Sequence, residues 1–250
     1  MPPSEASATP ASLTGQLYPL MAQASRAAVL ASMSRELAHD LKGPIQALFL
    51  FDMNDRDPEM ESVFRMAVDK MAETIERVTR IYMPRPASRP PGPFTVADLI
   101  TCVRDMYEAQ RSLPATDLVL EVPPVLSPVL GLEWEWQHVL INLLMNAREA
   151  AGEEAGARVT LTVRQPGSTS VEIAVRDTGP GVPRDRADWI FQPLTTTKPP
   201  GGVHGLGLPV ARWLARKNEG DLRTEPADRG GLFVVTLPAL PLATGRPAQP

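Results

Sequence analysis

The chain has 250 residues, 43% hydrophobic and 22% charged, an ordinary globular mixture long enough for one or two domains with cores of their own. A net charge of -4 with no Lys/Arg block excludes nucleic acid binding by polyelectrolyte attraction, so no nucleic acid partner is expected. Cys102 is the only cysteine, which excludes an internal disulfide or a cysteine metal cluster and reads as a small core residue in a reducing compartment.

No apolar run reaches the roughly 18 to 20 residues needed to span a bilayer. Met1 to Leu13 carries Glu5 and no basic residue ahead of an apolar stretch. The pattern therefore predicts neither a membrane span nor a secretory signal, but a cytoplasmic protein. Residues 1–12 and 241–250, rich in Pro, Ala, Ser and Thr, have little to bury and are expected to be disordered.

Residues 13–83 read as two long helices. The first, Leu13 to about Phe51, offers Leu20, Ala27, Leu30, Met33, Leu37, Leu41 and Leu48 on a broadly apolar side. Asp52 to Pro58 supplies the turn, and in the second helix Met60, Phe64, Ala67, Met71, Thr74, Val78 and Ile81 recur at spacings of four and three, the seam of a bundle helix. Two helices make a poor core alone, so an antiparallel hairpin that becomes a four-helix bundle in a symmetric homodimer is expected, although a coiled coil with another protein would also satisfy the pattern. Pro84 to Pro93 cannot continue a helix and forms a linker.

From residue 94 to about 240 the pattern becomes mixed. Helices are predicted over Val96–Arg111, Glu133–Ala151 and Leu208–Lys217, and strands near Leu118–Val122, Val159–Val163, Val171–Val175 and Leu232–Leu237. The fold class is α+β: a helical hairpin followed by an α/β sandwich. There is no internal repeat.

On the helix Glu133–Ala151 the polar residues His138, Asn142 and Asn146 recur every four residues on one face, with Glu149 close by. Mid-helix amides are poor helix formers; a solvated face or a buried hydrogen bond would explain them, and so would a carbonyl oxygen joining phosphate oxygens around Mg²⁺. The strand Val171–Val175 runs into Asp177-Thr178-Gly179-Pro180-Gly181, where a carboxylate could accept from an exocyclic amino group and the glycines allow close approach. Thr195-Thr196-Thr197-Lys198 follows, then Gly201 to Pro209, a Gly-rich run opening a helix whose free amides and dipole suit an anion.

Upstream, His39 is followed by Asp40, which can orient the imidazole or take its proton, and Pro44 removes the amide that would bond the carbonyl of Asp40, so the helix should bend just past it. His138 and His204 read as ordinary histidines.

Together these segments resemble the catalytic core of two-component sensor histidine kinases over about residues 25–238. The resemblance rests on the box around His39, Asn142 to Ala147, Asp177 to Gly181, Phe191 with Thr195 to Lys198, and Gly205-Leu206-Gly207-Leu208. The run Asn146-Ala147-Arg148-Glu149-Ala150 and the Thr-Thr-Lys stretch look most like the nitrogen-sensor branch.

The resemblance implies ATP and Mg²⁺ as cofactors. Asn146 would ligate the metal, Asn142 would support the phosphates, and Asp177 would meet the adenine amino group in a pocket shaped by Gly179 and Gly181. Residues 183–204 would form a mobile lid, with Lys198 touching phosphate and Gly205, Leu206 and Gly207 cradling it. His39 would be the phosphoacceptor and Asp40 its base or orienting group. The phosphoryl group would pass to an Asp of a response-regulator receiver domain on another chain, and a separate sensory protein could supply the input.

Two positions depart from the family pattern. Gly43 stands where many members carry a Thr or Asn that positions water for dephosphorylation, and Val203 replaces a Gly two residues before Gly205. Regulator phosphatase activity is therefore not expected. Two other readings fit part of the chain: a dimeric histidine phosphotransferase or scaffold with a degraded ATPase domain, and a conformational ATPase or serine kinase of the same nucleotide-binding superfamily.

Overall fold

The computed structural model describes residues 17–27, 44, 59–60, 62–70, 91–109, 116–153, 156–193, 195 and 205–241. His39, Asp40, Gly43, Lys198, Val203 and His204 lie outside these, as do most of the linker and both terminal segments. Residues 17–27 (α1) and 62–70 (α2) are helical. On α2, Phe64 is half-buried and Ala67 buried, as a seam spaced by fours and threes requires. On α1 Met21 and Ser25 are buried, and Leu20 is 63% exposed.

The remaining elements follow in the order β1 (Gly92–Phe94), α3 (Val96–Ala109), β2 (Asp117–Glu121), β3 (Val129–Gly131), α4 (Glu133–Ala151), β4 (Arg158–Arg164), β5 (Ser170–Asp177), α5 (Gly207–Lys217), β6 (Asp221–Thr224) and β7 (Leu232–Pro238). Two 3₁₀ turns, Arg184–Arg186 and Trp189–Phe191, lie between β5 and α5.

Five strands form one sheet in the order β2-β4-β5-β7-β6, with β2 parallel to β4 and every other neighbour antiparallel. Side chains alternate across it. Val159, Leu161 and Val163 of β4, Val171, Ile173 and Val175 of β5 and Phe233, Val235 and Leu237 of β7 are all buried in one core. The register sets Leu161 against Val175, and Val175 against Phe233. Helices α3, α4 and α5 contribute Leu99, Val103, Trp136, Leu140, Leu143, Leu144, Val210 and Leu214 to the same core. Each large side chain buried there contributes about 1.5–3 kcal/mol. The other face carries a ladder of ion pairs, Arg164 to Glu172 at 3.0 Å, Glu172 to Arg223 at 2.9 Å and Arg223 to Glu225 at 2.8 Å. The result is a two-layer α/β sandwich.

Local chemistry sets the element ends. The Thr95 hydroxyl accepts the Asp98 amide at 3.1 Å and caps α3. Gly152, with φ of 70°, ends α4 and donates to the Arg148 carbonyl. Three short strands, β1, β3 and β6, are not predicted by the sequence. β1 and β3 pair with each other, Gly92 opposite Gly131 and Phe94 opposite Val129, so the sandwich takes in Gly92 and Pro93, which the Pro-rich pattern assigns to the linker. Pro93 is tolerated because it stands in a two-stranded ribbon with few amide bonds to supply. Among the described residues no helix is long and apolar enough to cross a membrane.

Candidate nucleotide site

Three sequence-separated segments meet at one end of the sandwich. The first is the end of β5. Asp177 is 3% exposed, and its Oδ1 accepts the amides of Gly179 at 2.8 Å and Gly231 at 3.0 Å. Burial raises the pKa of this carboxyl above its ordinary value, while the two amides and the Arg176 charge pull the other way. Among the described residues both bonds fall on Oδ1, so Oδ2 has acceptor capacity for a donor on a ligand.

The glycines around it are there for space. A side chain at Gly179 would place its Cβ 2.3 Å from the Ala150 carbonyl oxygen, so the loop lies directly on the end of α4. Gly181 has φ of 78°, and its Cβ would meet the Gly230 oxygen at 2.6 Å. Gly230 and Gly231, which sequence reasoning passed over, are the other wall. A Cβ at Gly230 would stand 1.8 Å from the Asp177 carbonyl oxygen, and one at Gly231 would stand 2.6 Å from Asp177 Oδ2. Their signal was a Gly-Gly pair immediately before a strongly apolar strand.

The second and third segments are the polar stripe of α4 and the start of α5. Asn142 is buried, and its Nδ2 has no partner among the described residues; Asn146, one turn on, is partly exposed. A Cβ at Gly207 would come within 3.6 Å of Asn142 Oδ1 and 3.7 Å of Asn146 Nδ2. The two amides thus face the first turn of α5 across a gap that glycine leaves open. Gly205, with φ of 79°, turns the chain into that helix, and Leu206 anchors it in the core. A buried amide without a partner, a second amide a turn away and a helix N-terminus opposite form a donor and acceptor set that fits polyphosphate with Mg²⁺.

The third residue of the stripe goes elsewhere. His138 is buried and its Nε2 lies 3.2 Å from Ser25 Oγ of α1, with Nδ1 unpartnered among the described residues. Burial, with the Arg26 charge adding, pushes its pKa down to about 4.

In the segment expected to be a lid, Phe191 is buried against α5 with the Arg212 guanidinium 4.5 Å from its ring centroid. Thr195 donates to the Gln192 carbonyl at 2.6 Å. One aromatic ring and its cation thus anchor the first part of the segment that the resemblance assigns to a lid. Opposite the site, Glu135 is buried and ion-paired with Lys217, and Oε2 accepts from Asn218 Nδ2 at 2.6 Å. Asn218 Oδ1 in turn accepts the Leu132 amide at 2.9 Å, which ties the end of α5 to the start of α4.

Residues 131–241 match the family described as Histidine kinase-, DNA gyrase B-, and HSP90-like ATPase, and this sandwich is an ATPase domain of that class. The chain is 28% identical to the sensory histidine kinase/phosphatase NtrB of Rhizobium meliloti over 84% of its length and 58% of that protein's. It is 26% identical to the C4-dicarboxylate transport sensor protein DctB of the same organism, over 87% of this chain and 36% of the relative. The catalytic domain of histidine kinase ThkA superposes with a TM-score of 0.54 at 28% identity, covering 61% of this chain and 98% of that one. ThkA in complex with the response regulator TrrA shares the fold over 86% of this chain and 64% of that one, with a TM-score of 0.52 at 24% identity. The chain is similar to sensor histidine kinases, and it spans 36% to 58% of the length of the two curated relatives described.

Proposed function

We propose that the chain is an ATP-dependent protein-histidine autokinase that phosphorylates its own His39 and passes the phosphoryl group to an Asp of a separate response regulator. The observation that carries this reading is the convergence of Asp177, held by Gly179 and Gly231, with Asn142 and Asn146 facing the Gly207 start of α5. Asp177 Oδ2 accepts the adenine amino group, and Gly181 and Gly230 keep side chains out of the ring's path. Asn146 holds Mg²⁺, Asn142 supports the phosphates, and the α5 amides with Lys198 offset their charge. Bound there, Mg²⁺ supplies charge neutralisation on the polyphosphate.

His39 is the nucleophile, and Asp40 orients the imidazole and accepts its proton. One ring nitrogen forms a bond to the γ-phosphorus as the bond from that phosphorus to the β–γ bridging oxygen breaks, and ADP leaves. The product is a phosphohistidine, and a receiver Asp on another chain takes the group. A relative, ThkA, is known in complex with a response regulator, which favours such a partner.

The hairpin is the dimerisation unit in this reading. Leu17, Leu20, Ala24 and Ala27 all lie exposed along one side of α1, and Val63 and Met66 do so on α2. A second copy forming a four-helix bundle would bury them. Residues 13–83 are then the acceptor and dimer domain, 94–240 the nucleotide domain, and a cytoplasmic setting supplies the ATP. The nitrogen-sensor branch fits the similarity to NtrB. Gly43 has no side chain to position a water, so regulator phosphatase activity is not expected.

The test is incubation of the chain with γ-labelled ATP and Mg²⁺. The expected label is stable in alkali, lost in acid and missing from His39→Gln. Label that persists in His39→Gln would overturn it.

A further inference from the structure

A carboxylate follows the two amides on the polar stripe of α4. Glu149 stands seven residues beyond Asn142 and three beyond Asn146. With 3.6 residues per turn it falls about 20° from Asn142 and about 60° from Asn146 around the helix axis, so it shares their face one turn nearer the C-terminal end. Asn142 is buried and Asn146 partly so, whereas Glu149 is exposed, at the rim of the same groove.

Two close approaches locate it between the halves of the site. Asn142 and Asn146 face the start of α5, where a Cβ at Gly207 would come within 3.6 Å of Asn142 Oδ1 and 3.7 Å of Asn146 Nδ2. At the other end of the stripe, a Cβ at Gly179 would stand 2.3 Å from the Ala150 carbonyl oxygen, and Asp177 Oδ1 accepts the Gly179 amide at 2.8 Å. The pocket under Asp177 thus abuts the residue directly after Glu149, while Asn146 lies about 4.5 Å before Glu149 along the axis. A nucleotide that joins the two pockets runs along α4 and passes Glu149 with the part that links base to phosphates, the ribose.

Chemistry selects the same group. An ionised carboxylate only accepts hydrogen bonds. The adenine amino group of a bound ATP is met by Asp177 in the proposed reading, and the phosphate oxygens are anionic and repel a further carboxylate. The remaining donors are the two adjacent ribose hydroxyls, which the two oxygens of one carboxylate can accept together.

We propose that Glu149 is a specificity residue: its carboxylate accepts the ribose hydroxyls and makes the site select ribonucleoside over deoxyribonucleoside triphosphates. Asp177 then reads the base and Glu149 the sugar, from opposite sides of the Ala150 carbonyl. This inference rests on the ATP site of the reading above.

The test is competition of ATP and of 2′-deoxy-ATP against a fluorescent ATP analogue, at a fixed excess of Mg²⁺, on the full chain as wild type, Glu149→Gln and Glu149→Ala. Because Glu149 is exposed, both variants should keep the wild-type melting temperature. The wild type should bind 2′-deoxy-ATP about tenfold more weakly than ATP, the low end for a bond to a charged acceptor because the site is open to water. Glu149→Ala should bind ATP no better than the wild type binds 2′-deoxy-ATP and should hold the two nucleotides within about twofold of each other, with Glu149→Gln, which keeps a neutral acceptor, between the two proteins. A wild type that binds both nucleotides equally, or a Glu149→Ala variant that still discriminates, overturns the ribose assignment and leaves the ATP site standing. An equal loss for both nucleotides in Glu149→Ala, the mark of a carboxylate acting on the metal, overturns it too. A wild type that binds neither nucleotide overturns the ATP site and this inference with it.

Discussion

Replacing Asp177 by Asn changes one atom's chemistry in a site whose shape is otherwise kept. The amide oxygen can still accept the Gly179 and Gly231 amides now 2.8 and 3.0 Å from Oδ1, so the loop stays built and stability should change by less than about 1 kcal/mol. The other position now presents an NH₂ donor where the account places the adenine amino group. A hydrogen bond to a charged acceptor is worth about 1.5–3 kcal/mol, and its loss here weakens ATP binding by roughly 10- to 150-fold. Titration with a fluorescent ATP analogue, competed with ATP, measures this directly. Inosine triphosphate, which carries an oxo group in place of the amino group, sharpens the result: the wild type should discriminate strongly against it, and Asp177→Asn should not. Asp177→Asn with ATP affinity within threefold of wild type, or with discrimination intact, would refute the assignment of Asp177 to the base.

Other perturbations follow from the same geometry. Gly179→Val must displace either the loop or the Ala150 carbonyl, because its Cβ would start 2.3 Å from that oxygen; ATP affinity should fall more than about tenfold, with a lowered melting temperature in calorimetry. Glu135→Ala removes the buried acceptor of Lys217 and Asn218 and should destabilise the domain by about 2–3 kcal/mol in a urea titration, while a change below 0.5 kcal/mol, on the order of error, would contradict the role given to that network. His138 has a pKa of about 4 in the folded chain against 6.5 as its ordinary value, so the unfolded chain takes up its proton first as pH falls. Stability is therefore full above about pH 6.5 and should drop by about 2 kcal/mol by pH 5, a loss that His138→Gln removes.

Much of the nucleotide domain was legible in the sequence because its signals are strong and local. The apolar spacing of Trp136, Leu140, Leu143 and Leu144 marked α4 over its full length, and the β-branched runs marked β4, β5 and β7. Strands β1, β3 and β6 were not legible: three or four residues give too little alternation, and β1 is held by pairing with a strand more than thirty residues away. At the candidate site, turn chemistry singles out Asp177, Gly179, Gly181, Gly205 and Gly207, which the structure brings to one end of the sandwich. Gly230 and Gly231 escaped because their reason is tertiary, the close approach of one loop to the Asp177 backbone. His138 shows the limit of periodicity, since its spacing placed it with Asn142 and Asn146 while packing gave it to Ser25. The acceptor residues His39 and Asp40 and the lysine Lys198 lie outside the described residues, so their roles rest on sequence and chemistry.

The most direct measurement is the location of the phosphoryl group itself. After a short incubation with ATP and Mg²⁺, digestion under alkaline conditions and mass spectrometry should find phosphate on the peptide that contains His39, on the imidazole. Phosphate on a serine or threonine, or a chain that hydrolyses ATP and never carries phosphate, would contradict the account.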